Sequence, residues 1–231
     1  ADRIAAADLV PLVRAIDVDG LYPEEVMRSF GAAGAFRRHL PAPGGALDLD
    51  TTIAAMARAG QECLSTAFCM WCQSALGWYI YNSDNTALQA DLGAKIATGE
   101  ILGGTGLSNP MKTLFGIETM KLKATRVEGG YTLRGTLPWV SNIGPDAWFA
   151  VVSEIPEGPR AGERVMMVIH GSGEGVKLVS NDHFVALEGT RTYGVQCRDA
   201  FVPDAHVLAD PINAYIPKIR AGFILLQAGM A

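Results

Sequence analysis

The sequence predicts a multidomain α+β chain. An N-terminal α-helical bundle comes first, then an antiparallel β-barrel or sheet domain, then the start of a C-terminal helical domain. Three observations carry this. Over the first hundred residues apolar side chains recur at helical spacing between start and stop signals. After Pro110 the period drops to two, in short runs separated by Gly, Pro, Asn and Asp. Near Ile219 a helical pattern returns and runs to Ala231. The expected divisions are 1–102, 103–210 and 211–231, with the remainder of the last domain expected beyond this chain.

In the first division, Leu9, Leu12, Val13 and Ile16 share one helical face. Pro23 with Glu24 and Glu25 opens a second helix, whose Val26, Met27 and Phe30 precede a stop at Gly31. Residues 39–45 (His-Leu-Pro-Ala-Pro-Gly-Gly) read as a loop. Asp50 is the expected cap of a helix carrying Ile53, Met56 and Ala57. From Ser65 to Tyr81 the chain is apolar nearly all round, which predicts a helix buried on most sides. Residues 82–85 break it, and Leu88, Leu92 and Ile96 mark one more helix, ending at Gly99. Together these predict an antiparallel bundle.

In the second division, Lys121 to Val127 alternates, Glu128-Gly129-Gly130 turns, and Tyr131 to Arg134 alternates again, which is a hairpin. Further short strands are expected at 147–153, 164–169, 176–179 and 193–197. With no helices between them they make an antiparallel sheet or barrel rather than βαβ units. The final helix carries Phe223, Ile224, Leu225 and Leu226 without a closing Gly or polar tail, so the natural chain is expected to continue.

The totals exclude several function classes. The 231 residues are 49% hydrophobic and 19% charged, with formal charge −5 and no basic run, so the electrostatic footprint of a nucleic-acid binder is missing. No apolar segment reaches the roughly 18–20 residues of a membrane span. Four cysteines in a chain of this length are not a disulfide scaffold, which points to a reducing, cytoplasmic setting.

Most local motifs are structural. Gly103-Gly104-Thr105-Gly106 lacks the third glycine and the preceding strand of a dinucleotide loop, and Pro110 argues against an immediate helix, so a glycine turn is expected. Cys69 and Cys72 lie in the apolar helix with no second pair to complete a zinc site, so they read as core. His39, His170, His183 and His206 are scattered, and no metal is expected. One stretch differs. In Trp139-Val140-Ser141-Asn142 a flat indole stands beside a hydroxyl and backbone N–H groups, which suits a flat, hydrogen-bonding ligand such as a flavin ring.

Three ordered segments resemble the acyl-CoA dehydrogenase family. Thr98-Gly99-Glu100 followed by Gly106-Leu107-Ser108-Asn109-Pro110 is similar to the family's "sGe" turn and "TEP" segment. Gly135 to Asn142 with Asp146-Ala147 resembles "G.k.WiTN…Ad", and Thr192 to Leu208 resembles "T..v.F.dV.VP..nvL". The resemblance implies a flavoprotein of fatty acid metabolism that dehydrogenates an acyl-CoA thioester between its α and β carbons, with hydride passing to FAD. Leu107 and Ser108 would line the flavin, Trp139 would pack on its ring, Ser141 would bond near N5, and Val140 would offer a backbone contact. Thr113 would supply a hydroxyl where the family holds pyrophosphate. An electron-transfer partner or oxygen, and assembly as a homo-oligomeric dimer or tetramer, are implied too.

Two departures stand out. Asn109 replaces the usual Glu, and Met111 to Gly116 replaces "aGSD" with one extra residue. The family's base is a Glu beyond this chain or, in some members, at the position of Ile219, which has no basic group; no catalytic residue is assigned. Alternatives are a flavin-dependent monooxygenase of the same fold and a non-catalytic subunit of a mixed oligomer.

Overall fold

The computed structural model describes residues 1–41, 47–180 and 183–231. Most of the loop expected over 39–45 falls outside these. The first helical run comprises α1 (Asp2–Ile4), a π turn (Ala5–Leu9), a 3-10 turn (Val10–Leu12) and α2 (Val13–Val18), so it begins earlier than the periodicity indicated. Then come α3 (Glu24–Ala32), α4 (Leu49–Gly60) and α5 (Leu64–Asn82). The cap of α4 is Asp48, whose carboxylate accepts the Thr51 N–H at 3.0 Å. Asp50 sits instead in the first turn, where its charge suits the helix dipole. A run formed by α6 (Thr86–Leu88), a π turn (Gln89–Gly93) and α7 (Ala94–Thr98) ends on Gly99, left-handed at φ 74° as a closing glycine should be.

Helix α5 is the axis of the molecule. Fifteen of its nineteen residues are buried, as an apolar sequence with no charge requires. Gln73, also fully buried, donates to the carbonyls of Ile96 and Ile101 and accepts the Gly103 N–H. It thereby fastens the bundle to the first strand, β1 (Gly103–Thr105). That strand replaces the expected glycine turn. The glycines are needed because a Cβ on Gly103 or Gly104 would lie 2.1 Å from a neighbouring backbone oxygen.

Helix α8 (Ser108–Leu114) follows at once, against the expectation that Pro110 would forbid it. Pro110 is its third residue, where a helix has no intrahelical acceptor for an N–H anyway. Then come β2 (Leu122–Val127), β3 (Gly130–Val140), β4 (Trp148–Glu154), β5 (Arg164–His170), β6 (Val176–Ser180), β7 (Tyr193–Pro203) and β8 (Val207–Ala209). The sheet order is β6-β7-β3-β2-β4-β5-β8, with β1 parallel to β4. It is open, not a barrel. Strands β2 and β4 share only the pair Lys123 and Glu154, because β4 gives its other end to β1, and β6 and β8 are not paired with each other.

Alternation in β4 and β5 separates two cores. Ala150, Val152, Met166 and Val168 face the helices, while Phe149, Val151, Val165 and Met167 face a core enclosed by β2, β3 and β7. Both faces are buried, so these strands read as continuous apolar runs. Helix α9 (Ile216–Leu226) returns onto α5, with Phe223 against Trp71 and Tyr79 at 5.3 and 6.1 Å between ring centres. No helix among the described residues is long and apolar enough to cross a membrane.

His39 is a core residue. It is fully buried, with Nε2 donating to the Ser74 carbonyl at 2.9 Å and Nδ1 3.3 Å from Thr52 Oγ1. Burial disfavours the imidazolium and pushes its pKa down to about 4. Above about pH 6.5 the folded and unfolded states are both neutral here. Below that the unfolded state takes the proton first, so stability falls with pH by about 3 kcal/mol by pH 4. Urea unfolding between pH 7.5 and 4.5 should show this slope, and His39→Gln should remove that part of it. An unchanged slope in the variant would contradict the assignment.

Candidate functional site

A cleft of about 470 Å³ opens where α5, β1, α8, the end of β3 and α9 meet. Each element delivers its side chains through its own period. Helix α5 gives Phe68, Trp71 and Cys72, and α8 gives Ser108, Met111 and Lys112, each set at spacing i, i+3, i+4. Phe223 and Gln227, four apart, come from α9 and the turn after it. Thr105 ends β1 and Leu107 caps α8. A larger groove of about 600 Å³ near the amino end is walled mostly by Ala and Arg and touches none of the expected residues.

Trp139 reaches the cleft because of Pro138. Strand β3 pairs Leu137 with Val195, then Val140 with Tyr193, so an irregularity falls at Pro138-Trp139. Proline has no N–H for the ladder, and the bulge there turns the indole outward. Trp139 is 57% exposed, between the cleft and a recess of about 210 Å³, while Val140 is fully buried in the sheet core.

Ser141 lines the cleft, its hydroxyl 2.6 Å from that of Thr192. The next residue, Asn142, is left-handed at φ 58°, a conformation asparagine tolerates better than most. Its side chain is buried, accepting from the Tyr22 hydroxyl at 2.7 Å and donating to the Gly103 carbonyl at 2.6 Å. Asn142 therefore pins Ser141 to β1 and to the first helices.

Of the six expected cofactor residues, Leu107, Ser108, Trp139 and Ser141 converge on the cleft. Val140 points away into the core. Thr113 is not on the cleft wall; its hydroxyl donates back to the Asn109 carbonyl at 2.9 Å. Asn109, in the place of the family's Glu, is buried and structural. Its amide donates to Glu118 and to the Thr119 carbonyl, and its oxygen accepts the Lys121 N–H, tying α8 to the entry of β2. Ile219, on α9, is buried against α5, and its carbonyl accepts the Trp78 indole N–H at 2.9 Å.

Sequence reasoning missed Phe68, Trp71, Cys72, Thr105, Met111, Lys112, Phe223 and Gln227 as cleft residues. An all-apolar helix gives no sign of which side meets a cavity. Trp71 is set apart only in the folded chain, where its indole N–H is buried with no hydrogen-bond partner among the described residues, a state that native interiors avoid. The Cys72 thiol, pushed up by burial, stays protonated, and among the described residues no carboxylate or imidazole lines the cleft.

A broad, mostly apolar cleft with an aromatic face and few hydroxyls, set between a helical layer and a β-layer, has the character of a small-molecule pocket in an α+β protein. Known proteins make the class specific. Residues 1–100 match the family description "Acyl-CoA dehydrogenase, N-terminal domain". Benzylmalonyl-CoA dehydrogenase of Aromatoleum aromaticum is 22% identical over 99% of this chain and 61% of its own length. The structure of butyryl-CoA dehydrogenase from Megasphaera elsdenii superposes with a TM-score of 0.83 at 16% identity, over 99% of this chain and 63% of that one. A structure described as the FAD complex of PigA superposes at 0.81 and 16% identity, over 98% and 61%. Together these similarities support a member of the acyl-CoA dehydrogenase family, the family match itself covering residues 1–100. The chain spans about three fifths of the length of these relatives.

Proposed function

We propose that the cleft holds the isoalloxazine ring of FAD and that the whole protein is a flavin-dependent oxidoreductase acting on an acyl thioester. The observation that carries this is the pairing of an outward-turned indole, Trp139, with the Ser141 hydroxyl in a cleft that Phe68, Trp71 and Phe223 also line. The ring would lie against Trp139, with its N5 edge toward Ser141 and its borders against Leu107 and Ser108. Phe68, Met111 and Phe223 supply apolar wall to the cleft. Bound FAD would supply the acceptor for the two electrons that leave the substrate. The names of the relatives, dehydrogenases of acyl-CoA thioesters, and the FAD in the PigA structure support the reading. Divisions at 102/103 and 210/211, an electron-transfer partner and homo-oligomeric assembly belong to the same proposal.

Anaerobic addition of acyl-CoAs of graded length to the flavin-loaded full-length protein tests the activity. Bleaching of the flavin band by at least one is expected; a band unmoved by all of them would contradict the reading. Trp139→Ala should weaken FAD binding at least tenfold, since an aromatic contact of about 1.5 kcal/mol is lost. The unfolding midpoint should stay unchanged, because the indole is more than half exposed. Equal affinity in the variant would remove Trp139 from the site.

A further inference from the structure

The helical side of the cleft presents three aromatic rings in contact. Phe68 and Trp71 lie 5.6 Å apart between ring centres, tilted by 44°, and Trp71 and Phe223 lie 5.3 Å apart, tilted by 50°. Trp71 and Phe223 are only 8% and 7% exposed, and Phe223 leans in turn on the fully buried Tyr79, so the wall is rigid. Among the described residues α5, α9 and the turn after α9 bring no aliphatic side chain to it; its other members are Cys72 and Gln227. Trp139 and Ser141 stand on the opposite side, at the end of β3. A flat ring stacked on Trp139 keeps one face free, and that face looks across the cleft at the helices. A substrate that gives hydride to the ring must lie on the free face, and so between it and Phe68, Trp71 and Phe223.

We propose that the acyl group this cleft takes is an arylalkanoyl group, its aromatic ring seated on Phe68, Trp71 and Phe223, in preference to a straight alkyl chain. The inference deepens the proposed function and rests on the flavin lying against Trp139. Aromatic rings gain from tilted contacts with other rings beyond the apolar area that they bury. A flat aryl group also enters a slot with few torsions to freeze, whereas an alkyl chain loses freedom at every bond that the slot fixes.

The test is calorimetric titration of the FAD-loaded full-length protein with cinnamoyl-CoA and with trans-2-nonenoyl-CoA. Both carry nine acyl carbons and already hold the α,β double bond, so they bind without turnover. The expected result is cinnamoyl-CoA bound at least tenfold more tightly. Phe68→Leu keeps apolar bulk and removes one ring, so the ratio should fall about fivefold while FAD stays bound. A merely structural role for Phe68 would weaken both ligands alike. Should Phe68→Leu fail to fold, the wild-type ratio decides by itself. Equal affinities, a preference for the alkyl chain, or a ratio unmoved in Phe68→Leu would overturn the inference while leaving the flavin site standing. Binding of neither ligand by protein that holds FAD would overturn the acyl-thioester reading and this inference with it.

Discussion

Gln73→Leu is expected to destabilise the protein by about 1–4 kcal/mol, the largest effect of any single substitution considered. The side chain is fully buried and satisfies three backbone groups at once, the carbonyls of Ile96 and Ile101 and the N–H of Gly103. Leucine fills a similar volume and pairs none of them. The Ile96 carbonyl keeps the Gly99 N–H, so two groups are orphaned at about 1–3 kcal/mol each, which outweighs the roughly 1–2 kcal/mol gained from added apolar contact. Total stabilities of domains lie at about 5–15 kcal/mol, so the variant should unfold at much lower urea concentration. The damage is directional as well: β1 would lose its tie to α5, and with it the position of Thr105 at the cleft. A loss below about 1 kcal/mol would mean that the three bonds are not held in solution.

Gly222→Ala should be the second large effect, and its sign is not the one helix propensity suggests. Alanine inside a helix is about 1 kcal/mol better than glycine. At Gly222, however, a Cβ would stand 2.4 Å from the indole of Trp78, which is itself 5% exposed and bonded to the Ile219 carbonyl. A rigid, buried ring has nowhere to go, so α9 must lift from α5. Overpacking of this kind costs about 1–3 kcal/mol, enough to reverse the propensity gain. Because Phe223 follows directly and forms one wall of the cleft, FAD affinity should fall together with the unfolding midpoint. A variant as stable as the parent would show that α9 does not seat on Trp78.

The helical half of the fold was legible because burial and period coincide there. Helix α5 was evident from its unbroken apolar run, and Gly99 from its place after Ile96. The hairpin of β2 and β3 was evident from alternation around Glu128-Gly129. Strand β1 was not, since two glycines carry no periodicity; their use is close backbone approach, of Gly103 to β4 and of Gly104 to Ser141, which only the assembled sheet displays. Helix α8 was hidden by Pro110, whose effect depends on its position within a helix. Four cleft residues lay in motifs with a chemical signature, a tryptophan beside a hydroxyl and a turn before a proline. The other walls come from side chains that look like ordinary core until α5, α8 and α9 meet. Asn142 shares the motif with Ser141, and its amide holds the fold.

The central claim is that the cleft under Trp139 is a flavin site. Equilibrium titration of the protein with FAD, followed by flavin fluorescence, tests it most directly. One FAD per chain, its emission quenched by contact with Trp139 and with the quenching weakened in Trp139→Ala, is the predicted result. Flavin that stays fully fluorescent and free at saturating protein would contradict the account.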